Sequence, residues 1–381
     1  MKRTFAGVSF LLAIIFLGVA DASAVDRITF RRDGKEREIV GRLLVEAEDG
    51  GLLLLERDGT IWAVTPDEQV EHKSDETPFK PFTREELTKK ILAELPPGFD
   101  ALGTKHYLIF YDTSKTYASW CGSLFERLYG AFTNYWSRKG SELESPEFPL
   151  VAIVFADRAS YLKYTRPELG DAGESIVGFF SLMSDRMTMY DLSGVENGGP
   201  RTRGGTMAQI NQILSQPQAT QMVSTVVHEA THQIAFNCGL HTRLSDCPLW
   251  FSEGIAVFFE TPDLKSAKGW GAIGGINYPR LDRFQEYLRR RGTDSLDTLI
   301  STDKRLRDMK QGLDAYAEAW ALTYFLIHQK PKEYVAYLKL LSEKKPLITD
   351  TPEKRLEEFE KIFGNRRRLD EEFVRYMNKL K

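Results

Sequence analysis

The chain has 381 residues, 42% of them hydrophobic, which is enough apolar material for one large core and a smaller domain beside it. A formal net charge of −3 argues against a nucleic-acid partner, and the short basic run Arg289-Arg290-Arg291 reads as a solvated helix end.

The first residues carry two cations, an apolar run from Phe5 to Ala20, and Ala22-Ser23-Ala24 in the small-x-small pattern of a cleavage site. A signal peptide over residues 1–24 is expected, cleaved after Ala24 to leave Val25 as the mature start. The apolar run is shorter than the roughly 20 residues that cross a bilayer. No cysteine follows it to take a lipid, and nothing later approaches a membrane span. The expected destination is therefore secreted or periplasmic, in a mature form that spans no membrane.

Residues 25–73 alternate short β-rich runs with turn signals at Asp33-Gly34, Asp49-Gly50-Gly51 and Asp58-Gly59, the pattern of a small antiparallel module of four or five strands. Its partner is not readable. Residues 74–100 form a linker or brace, with a helix around Arg84 to Leu95 that ends at Pro96-Pro97-Gly98. The main domain, 101–381, divides into a sheet-rich part to residue 205 and a helical part after it. Strands are expected at 106–113 and 149–157, a helix between them from Tyr117 to Lys139, and a hairpin from 175 to 192 that turns at Ser184-Asp185. Strands first and helices afterwards place the domain in the α+β class.

The chemistry sits in VVHEATHQIAF, residues 226–236. Ser215 as N-cap, Pro217 in the first turn and Gly239 as the stop predict a helix over about 216–238. On it His228 and His232 are one turn apart on one face, near enough to bind one cation. Glu229 lies about 100° further round, where a carboxylate reaches a water on that cation and serves as general base. A catalytic zinc takes three protein ligands and a water, so one ligand is missing. SDCPLWFSEGIAVFFETP supplies it: with Ser245 or Asp246 as N-cap, Glu253 shares an apolar helix face with Leu249, Trp250, Ala256, Val257 and Glu260. Burying that carboxylate is costly unless a cation neutralises it. The bland alternative is a pair of packed, hydrogen-bonded histidines. The remaining four, His72, His106, His241 and His328, show no partner pattern. In an oxidising compartment Cys238 and Cys247, nine apart, are close enough to pair, leaving Cys121 odd; two buried thiols are the alternative.

HEATH followed by WFSEGIA, with Glu253 placed 21 residues after His232, resembles the gluzincin group of zinc peptidases, whose third ligand is a glutamate on the next helix. The resemblance implies a zincin-like fold: a mixed sheet, the HExxH helix, then a mostly helical subdomain. It also implies an oxyanion donor. YAEAWALTYFL matches the Y-x-x-G-x-A-L-like helix of the aminopeptidase branch, with Ala319 in place of glycine, so Tyr316 is the candidate and Tyr324 the substitute. The order of parts is also similar to an uncharacterised family of secreted bacterial proteins with peptidase-MA-like cores, familiar from planctomycetes, over most of the mature chain. The G-x-M-E-N segment that grips a substrate amine in the aminopeptidases has no counterpart here. Asp185 could take that role in principle, but a solvated turn residue is the plainer reading, so internal cleavage is favoured over exopeptidase action.

The expected function is peptide-bond hydrolysis with one Zn2+ per chain held by His228, His232 and Glu253, Glu229 as base and Tyr316 on the oxyanion. By analogy, a peptide or protein substrate would pair along an exposed edge strand at about 186–192. Two other readings share these residues. One is a non-catalytic envelope binding or scaffold protein with a structural or relic zinc site; the other is a zinc hydrolase acting on a non-peptide amide.

Overall fold

A computed structural model of the chain describes residues 24–194, 206–260 and 273–381. Apart from Ala24, the expected leader lies outside the described residues, as does the glycine-rich stretch 195–205. Among the described residues no helix is long and apolar enough to cross a membrane. The chain divides into two units. The first runs up to Arg57 and resumes over Ala63–Lys80; the second comprises Asp58–Trp62 and Pro81–Lys381.

The first unit is a five-stranded sheet of β1 (Ala24–Arg32), β2 (Lys35–Glu46), β3 (Leu52–Glu56), β4 (Ile61–Val64) and β5 (Gln69–Pro78), in the order β4-β3-β2-β1-β5. Asp33 and Gly34 both take positive φ, 52° and 70°, the conformation whose twist lets two antiparallel strands meet through a two-residue turn. Ile28 and Phe30, two apart on β1, are fully buried, as the period of a strand requires. β5 runs on to Pro78, into the stretch assigned above to the linker. Its charged, exposed residues suit a sheet edge, where they discourage pairing with another chain.

The second unit is mixed α and β. α1 (Arg84–Glu94) starts with a reciprocal cap between Thr83 and Glu86. Then follow β6 (Asp100–Gly103), β7 (Tyr107–Tyr111), α2 (Lys115–Arg138), β8 (Leu150–Phe155), α3 (Arg158–Leu169), β9 (Gly178–Phe180) and β10 (Arg186–Tyr190), with sheet order β6-β7-β8-β10-β9. β7, β8 and β10 run parallel and every residue in them is buried, which is why β7 and β8 read as unbroken apolar runs, while β10 also buries Arg186 and Thr188. The rest is helical: α4 (Met207–Leu214), α5 (Pro217–Asn237), α6 (Leu249–Phe259), α7 (Tyr278–Tyr287), α8 (Ser295–Ser301), α9 (Lys304–Arg307), α10 (Gly312–Gln329), α11 (Pro331–Ser342), α12 (Pro352–Phe363) and α13 (Arg366–Met377). α5 packs on β8, β9 and β10, and its other neighbours include α2 and α6. The α+β class stands.

Two expectations change. Residues 186–192 are not an exposed edge: β10 is enclosed between β8 and β9, and the edge strand is β9. The reason is that the α3 crossover brings the chain into β9 on the outside, and the turn after β9 then lays β10 parallel to β8 between the two. Asp185 is not solvated. It is buried with φ of +59°, and its Oδ1 accepts from Asn237 Nδ2 at 2.7 Å. Burial pushes its pKa up to about 6, against the opposing pull of the Arg243 charge and the Asn237 hydrogen bond. An acid with a folded pKa above its unfolded value binds the extra proton in the fold. Its stabilising effect is complete below the unfolded pKa near 4 and is lost as pH rises through about 6. Asp185→Asn keeps the acceptor, tolerates the positive φ and removes the buried charge. Denaturant unfolding should therefore show the variant more stable than wild type at pH 7, by up to about 3 kcal/mol, with the difference gone by pH 4.

Candidate metal centre

α5 begins at Pro217, whose missing N–H is no loss at a helix start, with Gln216 rather than Ser215 in the N-cap position. It ends before Gly239, which takes φ of +73°. α6 starts two residues later than a cap at Asp246 would allow, because Pro248 holds the N-cap position. Asp246 instead accepts a two-pronged contact from Arg355, at 2.6 and 3.0 Å. The open N–H of Leu249 is met from outside by Asp303 Oδ1 at 3.1 Å.

These two helices bring His228, His232 and Glu253 together. His228 Nε2 lies 3.1 Å from His232 Nε2 and 3.0 Å from Glu253 Oε2, and His232 Nε2 is 3.5 Å from Glu253 Oε1. Around a tetrahedral ion with bonds of roughly 2.0 Å, ligand atoms stand about 3.3 Å apart, so the spacing fits such an ion. The chemistry of the donors agrees. Two ring nitrogens facing each other repel unless a proton or a cation lies between them, and a partly buried carboxylate beside them supplies the compensating charge.

His228 has a second partner that the sequence argument placed on the right face but gave no role. Its Nδ1 donates to Glu260 Oε1 at 2.8 Å, which leaves Nε2 as the nitrogen that turns toward the triad. Glu260 also receives Asn277 Nδ2 at 3.4 Å, and the Arg280 guanidinium stands 3.7 Å away. The signal for it was available: seven residues after Glu253 means two turns further along one face. Burial drives the His228 pKa down, but the hydrogen bonds and charges of Glu253 and Glu260 outweigh this and hold it well above the ordinary value. For Glu253 burial pushes upward, and His232 and His228 overcome it, so the carboxylate stays ionised.

Glu229 and Tyr316 line the same cavity of about 460 Å³ as the triad. Glu229 Oε2 accepts the backbone N–H of Phe180 on the edge strand at 3.0 Å. Burial raises its pKa against the lowering effect of the two histidines, so two glutamates on adjacent helices are pushed in opposite directions. Burial also raises the Tyr316 phenol, helped by the nearby Glu253 and Glu229 charges, which keeps it a donor. Arg280 sits 5.8 Å from the centre of its ring. Tyr324 is not at the site; it stacks on His328 at 4.1 Å. Asp185 lies elsewhere too, against Asn237.

The loop between the ligand helices is not clamped by a disulfide. Cys121, Cys238 and Cys247 are all free thiols. Cys238 is buried against the Tyr129 side chain, and Cys247 Sγ lies 3.8 Å from His241 Nδ1. Burial takes His241 down to about 3, a neutral core histidine.

No curated protein matches the chain. Residues 222–348 match the model of a family described as protein of unknown function (DUF1570). That span contains His228, Glu229, His232, Glu253, Glu260 and Tyr316, so the candidate centre lies wholly within a stretch shared with an uncharacterised family.

Proposed function

We propose that the protein is an exported zinc-dependent peptidase of the gluzincin type, with one Zn2+ held by His228, His232 and Glu253. The observation that carries this reading is the triad at ligand spacing with Glu229 already held beside it in one cavity. A structural site needs no base there. The ion, when bound, supplies Lewis acidity and a water whose pKa falls toward about 7.

The chain's own residues account for the rest of the hydrolysis. Glu229 accepts the proton of the attacking water and returns it to the leaving amine. Tyr316 donates to the oxygen that gains negative charge as the scissile carbonyl becomes tetrahedral. Glu260 holds His228 in the tautomer that offers Nε2, with Arg280 balancing part of its charge. Asp185, turned toward Asn237, does not grip a substrate amine, which supports internal cleavage. A peptide strand would lie along β9 and not along the enclosed β10.

Three variants separate these roles. Glu229→Gln should retain one zinc per chain by elemental analysis while losing cleavage of a mixed peptide library read by mass spectrometry. Cleavage surviving in that variant removes the base assignment, and absence of zinc from the wild type removes the whole reading. Tyr316→Phe should keep its zinc and lower kcat by about 100- to 1,000-fold with KM little changed. Glu260→Gln should weaken zinc affinity about 10- to 100-fold in a competitive chelator titration, since it leaves the ligands in place but loosens the ring of His228.

A further inference from the structure

We infer that the cavity accepts a large apolar side chain of its peptide beside the triad, in a subsite walled by Phe180, Leu182, Phe236 and Leu244; this rests on the peptidase reading. All four line the cavity that contains His228, His232 and Glu253. Phe236 follows His232 by one helical turn, and Phe180 belongs to the strand whose N–H holds Glu229, so this wall borders the reacting centre. The Phe180 and Phe236 rings stack at 6.0 Å. Leu182, two residues on from Phe180, is 37% exposed.

Leu244 adds an independent observation. It holds φ of +61°, a conformation that glycine adopts freely and leucine adopts only at a cost. The strain is maintained by its neighbours. Its carbonyl accepts Leu347 N–H at 2.9 Å, Ser245 bridges to Pro346, and Arg243 Nη1 reaches the Leu182 carbonyl at 3.3 Å. Leu244 is only half-buried and lines the cavity. Strain retained at a ligand-facing position points to use of the side chain it presents.

The far end of the cavity does not compete for a charged residue. Arg355 is taken up by Asp246 at 2.6 Å and Asp303 at 2.9 Å. Arg307, largely exposed, approaches Asp303 at 3.8 Å. Asp246, Asp303 and Arg355 are thereby matched within the protein, and the apolar wall is a surface that a ligand gains by covering.

The test uses the full mature chain loaded with zinc and a set of short peptidyl hydroxamates that differ only in the side chain next to the chelating group: glycine, leucine, phenylalanine, aspartate or lysine. Calorimetry should find the leucine or phenylalanine compound bound about tenfold or more tighter than the glycine compound. Leu244→Gly, which suits the backbone at that position, and Leu182→Ser should each cut that ratio severalfold without changing affinity for the glycine compound. Equal binding of the glycine and leucine compounds, or preference for aspartate or lysine, overturns the subsite. Library cleavage by the wild type with no apolar preference beside the cut also overturns it and leaves the peptidase reading intact. A chain that keeps zinc yet cleaves nothing in the library, while still binding the leucine compound best, supports the subsite and counts against peptide hydrolysis.

Discussion

Everything at the candidate centre depends on how closely α6 approaches α10. At Gly254 a Cβ would stand 2.1 Å from Thr323 Oγ1 and 2.9 Å from the Ala319 carbonyl, so no other residue fits without moving one helix. Glu253 precedes that glycine. Tyr316, Ala319 and Thr323 are spaced along one stripe of α10, the stripe that meets α6, so the same contact that seats the carboxylate brings the phenol to the cavity. A side chain at position 254 would separate the two groups before it disturbed either one chemically.

The opposite side of α10 is fixed by buried charge. Glu318 is fully buried and accepts from Arg291 at 2.7 Å, Arg305 at 2.7 Å and Ser295 at 2.8 Å. Removing one member of such a group leaves an uncompensated buried charge, at a cost on the order of 3–5 kcal/mol, so the arrangement resists sliding or rotation of the helix. Ionic contacts also hold the loop that a Cys238–Cys247 disulfide would have clamped. Asp246 in the loop, Arg355 on α12 and Asp303 form a chain, and Asp303 meets the first N–H of α6. The start of α6 is thereby tied to two segments distant in sequence, with no covalent bond.

The parts of the fold that the sequence made legible are those where pattern and burial agree. The HExxH helix, α6 and the buried strands carry apolar periodicities strong enough to survive packing; helical spacing pairs His228 with His232, and the apolar face around Glu253 marks the third member. Four things were not legible. Whether residues 186–192 or 178–180 form the edge depends on where a crossover returns the chain, which local sequence does not encode. Asp185 reads as a turn acid because turn composition says nothing of what packs over the turn. Glu260 was visible on the right face, but its role needed the distance to Nδ1 of His228, and the nine-residue spacing of Cys238 and Cys247 could not say that their side chains have separate partners.

The polar residues of α5 divide their work by helical geometry. His228 and His232 face α6 and meet Glu253 and Glu260 there. Glu229 and Gln233, each one position on and so about 100° round, face the sheet. Buried Gln233 donates to the carbonyls of Val151 at 2.9 Å and Asp185 at 3.0 Å, which pins the helix in register against β8 and the β9–β10 turn. Glu229 takes the Phe180 N–H of the edge strand. One pair of positions therefore sets where a cation would sit, and the adjacent pair sets how the helix lies on the sheet. The carboxylate has one oxygen committed to the backbone of β9, so its orientation is established by the fold before any ligand arrives, which would lower the reorganisation that the proposed proton transfer requires.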